Sequence, residues 1–502
     1  MIFNSLVFLI FFVVVIFLYW SFQPFSFRLR AQNTVLLIAS YVFYGWWDWL
    51  FLFLILFSTL WNYGFALFIA NRNEETDGAK SIRKTLLTIA MLGNFSFLGF
   101  FKYYNFFAKE FLNLLTTIGL SPAGSSGILI ESLILPVGIS FFTFQASAYT
   151  IDVYRNRIKP EKNFADFALF ITFFPQLVAG PIERAEDLLP ALKQERSIDA
   201  LRIERALWNL LHGFFLKVVV ADSLGPVVDA VFGTKQAYLA GVAMPTLGLF
   251  QVLLTGFAFM VQIYCDFAGY SFIALGAAGL LGIRLTRNFT QPFLATNPAE
   301  FWRRWHTTLM RWFTDYVYIP LGGSRVSTQM HVRNILFVFA ISGLWHGANW
   351  TFILWGFLNG IYVAGYRFMP KSMITTNVNW QRYIFTVSGV VLTLLLVSFS
   401  FLFFRAYSMG QVFTMFGNAF SILPTQGIDV SSLNGYEGFV YFRTIVNLVL
   451  PVFLIDIAAR YYKSDTWIVM RPFAVRILVP LYLFFMIVMN GQFGKEVIYF
   501  AF

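Results

Sequence analysis

Runs of about twenty apolar residues recur along nearly the whole chain, and each is long enough to cross the hydrocarbon core of a bilayer as a helix. Twelve such candidate spans lie near 3–22, 32–47, 50–70, 85–103, 131–150, 206–222, 245–265, 334–350, 352–368, 383–404, 441–459 and 474–490. A bilayer offers no water to unpaired backbone groups, so segments of this kind cross it as helices. Only 12% of the residues are charged, against about 25% in a soluble domain. The reading is an all-α polytopic membrane protein with about 11–13 transmembrane helices plus re-entrant or interfacial ones, in one integral-membrane domain over 1–502.

The joints between spans carry their own signals. Gly45-Trp46-Trp47-Asp48 predicts a tight aromatic hairpin at the interface. Apolar stretches at 164–180 and 267–282 are shorter and contain Gly or Pro, so they are expected to be re-entrant or buried. Met1–Trp20 has no basic segment before its apolar run and no small-residue cleavage site, and reads as a retained span. Arg28 and Arg30, then Arg72, Lys80, Arg83 and Lys84, then Arg155, Arg157, Lys159 and Lys162 occupy alternate loops. Positive charge favours the cytoplasmic side, which puts those loops inside and the N-terminus outside. The stretch 405–440 is nearly uncharged and reads as an outer loop. No internal repeat is visible.

Several chemistries drop out. The single cysteine, Cys265, excludes an intrachain disulfide and a cysteine-based zinc cluster. No set of ligands has metal-site spacing, so no metal is expected. The net charge of +11 is dispersed between spans, which suits anionic lipid and not nucleic acid. No Gly-x-Ser-x-Gly elbow, phosphate-binding loop or His-Glu-x-x-His occurs.

The chemistry-bearing stretch runs from Phe301 to Asn349. As one helix over 301–316, Phe301, Trp302, Trp305, Leu309, Trp312, Phe313 and Tyr316 fall within an arc of about 120°. Arg303, Arg304, Thr307, Thr308, Arg311, Thr314 and Asp315 take the other side, as in an interfacial amphipathic helix. His306 sits at the edge of the apolar arc and either faces a cavity mouth or marks the boundary of a membrane anchor. Tyr318–Arg325 contains Pro320, Gly322 and Gly323 and predicts a compact turn with exposed backbone N–H groups, suited to a phosphate or simply a cytoplasmic turn.

His346 lies well inside an apolar segment between Gly343 and Gly347. An ionisable group in a membrane is costly and marks a functional site by default. A neutral imidazole there is a competent general base; the alternative is a structural histidine hydrogen-bonded between helices. His212 reads as structural and His331 as a solvated loop residue. The terminal Ile498-Tyr499-Phe500-Ala501-Phe502 is either an aromatic anchor or a segment that presents the Tyr499 hydroxyl to a cavity.

Taken together and in order, six pieces resemble the membrane-bound O-acyltransferase family, in its bacterial alginate and peptidoglycan O-acetyltransferase branch. They are Leu135–Gln145, Phe174–Ile182, Asp266–Ser271, 301–325, Trp345-His346-Gly347 and 498–502. Alginate-type members often carry an acid after the Gly-Tyr-Ser, where this chain has Phe272. The resemblance implies an acyltransferase of the bacterial inner membrane with a central tunnel. His346 matches the family's essential histidine and His306 its second marked one. The implied donor is an acyl-CoA, most simply acetyl-CoA, entering from the cytoplasm, with Arg303, Arg304, Arg311 and Arg325 as phosphate contacts. The implied partners are a periplasmic acetyltransferase, an exported polysaccharide such as alginate, and membrane lipid. In a general-base mechanism His346 takes the proton of an acceptor hydroxyl, either Tyr499 or a partner's. The competing readings are a transporter of acyl groups or small molecules, a scaffold for a periplasmic enzyme, and D-alanyl-type transfer to a cell-wall polymer.

Overall fold

The computed structural model describes residues 1–72, 76–120, 128–130, 134–178, 180–242, 244, 247–369, 379–426, 436–496 and 498. All regular elements among them are helical, with no strand. The α-helices are α1 Leu6–Ser21, α2 Arg28–Gly45, α3 Phe51–Ala70, α4 Asp77–Thr117, α5 Ile139–Tyr154, α6 Phe164–Thr172, α7 Phe174–Leu177, α8 Ala185–Lys193, α9 Ala200–Phe214 and α10 Asp222–Phe232. After them come α11 Lys235–Leu239, α12 Leu249–Leu280, α13 Pro298–Arg304, α14 Thr307–Phe313, α15 Thr328–His346, α16 Trp350–Arg367, α17 Asn379–Arg405, α18 Met409–Gln426, α19 Tyr436–Tyr461 and α20 Phe473–Asn490. Among the described residues six helices are long and apolar enough to cross a membrane: α3, α4, α12, α20 and the segments Tyr383–Arg405 and Arg443–Tyr461. The chain is an all-α polytopic membrane protein. Other expected spans fall on helices that are shorter, such as the 16-residue α1 and α5, or that start on polar residues, such as α15 with Thr328, Gln329 and Arg333.

The chain divides into two compact units: Met1–Ile203 with Ala277–Thr286, and Glu204–Gly276 with Arg287–Phe502. In the first, α3, α4 and α5 pack together around a buried polar knot. Asn62 and Asn94 donate to each other's side-chain oxygens at 2.9 and 2.8 Å. Asn94 also donates to Ser147 at 3.1 Å, and the Thr150 hydroxyl donates to Asn62 at 2.8 Å. Hydrogen bonds between helices fix their rotation where lipid gives no hydrophobic drive for association. The hairpin after Gly45 appears as expected, with α2 ending at Gly45 and α3 starting at Phe51. The stretch 164–180 is buried from Phe167 through Val178, as expected, and broken between α6 and α7.

In the second unit, α15 and α16 are joined by the short Gly347-Ala348-Asn349 connection. Their backbones touch. A Cβ on Gly343 would meet the Phe352 carbonyl, and one on Gly356 would meet the Phe339 carbonyl. Asn349 starts α16, its side chain accepting the Thr351 N–H at 3.1 Å and its amide donating to the Tyr407 carbonyl at 2.8 Å.

Two readings are corrected here. The stretch 267–282 is largely buried, one of the two expectations for it, but it is not a separate re-entrant piece, because 267–280 continues α12 without a break. Gly276 there serves close packing: a Cβ on it would lie 2.7 Å from the Ala206 carbonyl and 2.6 Å from Leu210. The expected outer loop at 405–440 contains the helix α18 and the start of α19 among the described residues.

Gly356→Ala is expected to destabilise the protein by about 1–3 kcal/mol through overpacking. Gly365 has open space around it, so Gly365→Ala should stabilise by about 0.4–1 kcal/mol through the unfolded chain. Thermal unfolding midpoints in detergent, moving in opposite directions, check both.

Candidate active site

The two candidate histidines lie in the second unit and belong to one aromatic cluster. His346 ends α15 and is 4% exposed. Its ring stands edge-on to Trp355 of α16 (centroids 5.0 Å, 90°) and to Phe404 of α17 (5.4 Å, 65°), with Trp345 at 4.9 Å. Trp345 also meets the His306 ring, at 6.0 Å. Trp302 of α13 completes the wall, 5.5 Å from Trp355. One indole therefore bridges two histidines forty positions apart.

The expected single helix over 301–316 is broken at His306. α13 opens with a full set of start signals: Asn297 accepts the Glu300 N–H at 2.8 Å, Pro298 follows, and Glu300 reaches back to the Thr296 N–H at 2.8 Å. Burial alone would raise the Glu300 pKa, but the Thr296 N–H and hydroxyl and the Arg304 guanidinium hold it below its ordinary value. The helix ends at Arg304. Trp305 is extended, and His306 has φ 45° and ψ 52°, a left-handed conformation. A non-glycine residue pays roughly 1–3 kcal/mol there. The neighbouring segment offsets it: the Thr290 N–H donates to the Arg304 carbonyl (3.0 Å) and the Thr307 N–H to the Asn288 carbonyl (2.9 Å). Tertiary hydrogen bonds thus replace the helical ones, which the periodicity of 301–316 does not register. Most of the expected sidedness survives the break, with Phe301, Trp302, Trp305, Leu309, Trp312 and Phe313 buried and Arg303 and Arg311 exposed, but Thr308, expected on the polar side, is buried and Tyr316 is only half-buried.

Asn288 also fixes the His306 ring. His306 Nδ1 lies 2.9 Å from Asn288 Oδ1, which accepts the Thr308 hydroxyl at 3.0 Å. The Asn288 amide donates to Ser271 of α12 at 3.4 Å. This network assigns the His306 proton to Nδ1, leaving the basic lone pair on Nε2. Phe267 stands edge-on to the ring at 4.7 Å, and His306 is 1% exposed.

The arginines divide. Arg304 is paired with Glu300 at 2.6 Å and donates to the Thr290 carbonyl at 3.3 Å. Arg303, Arg311 and Arg325 are exposed. The Gly-Gly turn does not present free N–H groups as expected. Gly322 and Gly323 are both left-handed, at φ 97° and 57°. Their N–H groups donate to the Ile319 and Tyr318 carbonyls, both at 2.9 Å. His331 is corrected too: it lies in the first turn of α15, buried, 2.7 Å from the Tyr318 hydroxyl. His212 is buried, stacked on Trp208 (5.6 Å) and packed on Phe272 (4.7 Å), as a structural histidine would be. Tyr499 lies outside the described residues.

Sequence reasoning missed Asn288 and the cage residues Trp355 and Phe404, which no motif flags. It named Asp266 only within the Asp266–Ser271 piece and did not connect it to Lys217. Lys217 contacts Asp266 at 2.6 Å and Asp222 at 2.9 Å, both acids buried. An ionisable residue within an apolar span was the available signal.

Comparisons with known proteins meet this geometry. Residues 84–409 match MBOAT, the membrane-bound O-acyltransferase family. The probable alginate O-acetylase AlgI of Azotobacter vinelandii is 35% identical over 421 residues, covering 84% of this chain and 78% of the relative. The peptidoglycan O-acetyltransferase of Helicobacter pylori is 34% identical, covering 82% and 78%. The teichoic acid D-alanyltransferase of Bacillus subtilis is 27% identical, covering 55% and 69%. The chain, with its paired histidines inside a helical membrane scaffold, belongs to the membrane-bound O-acyltransferase family and is a membrane O-acyltransferase.

Proposed function

We propose that the whole chain acts as one acyltransferase domain of the bacterial inner membrane, moving an acetyl group from cytoplasmic acetyl-CoA outward for O-acetylation of an exported polysaccharide. The observation that carries this reading is the shared aromatic cluster of His306 and His346. The printed names of the relatives, alginate O-acetylase and peptidoglycan O-acetyltransferase, support an acetyl group and a polysaccharide acceptor. Alginate is the acceptor of choice.

His346 is the general base. It takes the proton from an acceptor hydroxyl as that oxygen attacks the thioester carbonyl. The C–S bond breaks, the thiolate of CoA leaves, and the proton returns from His346 to sulfur. The acceptor is Tyr499, as a short-lived acyl-enzyme, and a periplasmic transferase then passes the acetyl group to the polymer. A phenol with pKa near 10 needs such a base. His306, with its lone pair on Nε2, orients the hydroxyl as the second acid–base group. Arg303, Arg311 and Arg325 meet the donor's phosphates, and Arg304 joins them from its pair with Glu300. A tunnel joins the donor side to the acceptor side.

His346→Ala should retain fold and abolish release of CoA from acetyl-CoA in the presence of acceptor; sustained turnover would move the base elsewhere. Tyr499→Phe keeps the ring and removes the nucleophile, so its transfer should fall to background, and wild-type transfer would end the tyrosine intermediate. Asn288→Ala frees the His306 ring. It should cut kcat roughly tenfold, the kinetic equivalent of one hydrogen bond of about 1.4 kcal/mol. KM for the donor should stay unchanged.

A further inference from the structure

The second unit contains a buried ion cluster that the reaction above does not use. Lys217 lies in the π-helical stretch Phe215–Ala221 that follows α9, and its side chain is fully buried. Asp266 of α12 is likewise fully buried. Two glycines bring these elements close enough to pair. A Cβ on Gly269 would sit 2.8 Å from the Gly213 carbonyl, and one on Gly213 would sit 2.6 Å from the Gly269 carbonyl.

An ion pair of this kind is a poor source of stability, because removing two charges from water costs about as much as their attraction returns. What distinguishes this one is where its remaining valences go. The ammonium group has three N–H donors. They go to Asp222 Oδ1 at 2.9 Å, Asp266 Oδ1 at 2.6 Å and the backbone carbonyl of Glu496 at 2.9 Å. The second oxygen of Asp266 accepts the backbone N–H of Ile498 at 2.7 Å. Each partner thus spends its spare capacity on the main chain of the segment that follows α20. Two further bonds hold the same segment. The Gln492 N–H donates to the Val218 carbonyl at 2.9 Å, and Lys495 Nζ donates to the Asp222 carbonyl at 3.2 Å.

We infer that the Lys217–Asp266 pair is a clasp that sets the register of the C-terminal segment, and that both residues are positioning residues for acyl transfer. A clasp on backbone groups at 496 and 498 holds those two positions whatever their side chains. Residue 499 follows directly in sequence. The inference rests on the reading of Tyr499 as acyl acceptor for its catalytic consequence, but not for the clasp itself.

The test leaves the buried ions untouched, since removing one would strand its partner. In Ile498→Pro the N–H donor to Asp266 is gone; in Ile498→Ala it remains. Full-length protein in nanodiscs is followed by hydrogen–deuterium exchange over 491–496 and by transfer from acetyl-CoA. The expected result is loss of protection in the proline variant, with kcat lowered about tenfold or more, as for a hydrogen bond to a charged group. KM for the donor should not move, and the alanine variant should keep the greater part of both protection and turnover. Unchanged protection in Ile498→Pro overturns the clasp. Lost protection with wild-type kcat overturns the positioning role. If Ile498→Pro loses protection and turnover while Tyr499→Phe works normally, the clasp stands and the tyrosine intermediate falls.

Discussion

A polar side chain inside a bilayer has no water to fall back on, so each must find its partner within the protein. That constraint orders both units of this chain. In the first it produces the reciprocal Asn62–Asn94 pair with Ser147 and Thr150. In the second it produces two networks of different purpose. Asn288 holds one nitrogen of His306, and the Lys217 ammonium is saturated by two carboxylates and a carbonyl. The first joins helices, the second fixes a tautomer, and the third grips a backbone.

Around the histidines the surroundings are aromatic. Trp345, Trp355 and Phe404 meet the His346 ring edge-on or tilted, presenting no charge. These walls are apolar, and the His346 ring is buried among them. The helix pair that carries His346 has little freedom to shift, because α15 and α16 meet backbone to backbone at Gly343 and Gly356. The same close packing makes this scaffold rigid.

Much of this was legible in the chain. Apolar runs predicted helices, the Gly-Trp-Trp-Asp joint predicted a hairpin, and an imidazole deep in an apolar segment drew attention to His346. The inward and outward faces of 301–316 were also readable from period alone. What escaped was tertiary. The break at His306 depends on Asn288 and Thr290, whose backbone groups intercept bonds that the local pattern assigns to a helix. The turn at Gly322 and Gly323 closes on itself, because its N–H groups reach carbonyls only a few residues back. Low charge over 405–440 predicts a loop only because charge reports exposure and not conformation; α18 fills half of that stretch. Lys217 and Asp266 stand 49 positions apart, and no periodicity couples them.

The broken helix has a consequence for assembly. Neither glycine nor proline lies at Trp305 or His306, and the residues on both sides keep one continuous amphipathic pattern. Left to itself, the local chain prefers to run straight through. The left-handed turn that aims the His306 ring exists only once the 287–290 segment has docked and supplied its hydrogen bonds. A chain that is incompletely folded or wrongly inserted therefore carries the histidine but not its geometry. The left-handed turn at His306 is in this sense conditional: its geometry reports that the packing around it is complete.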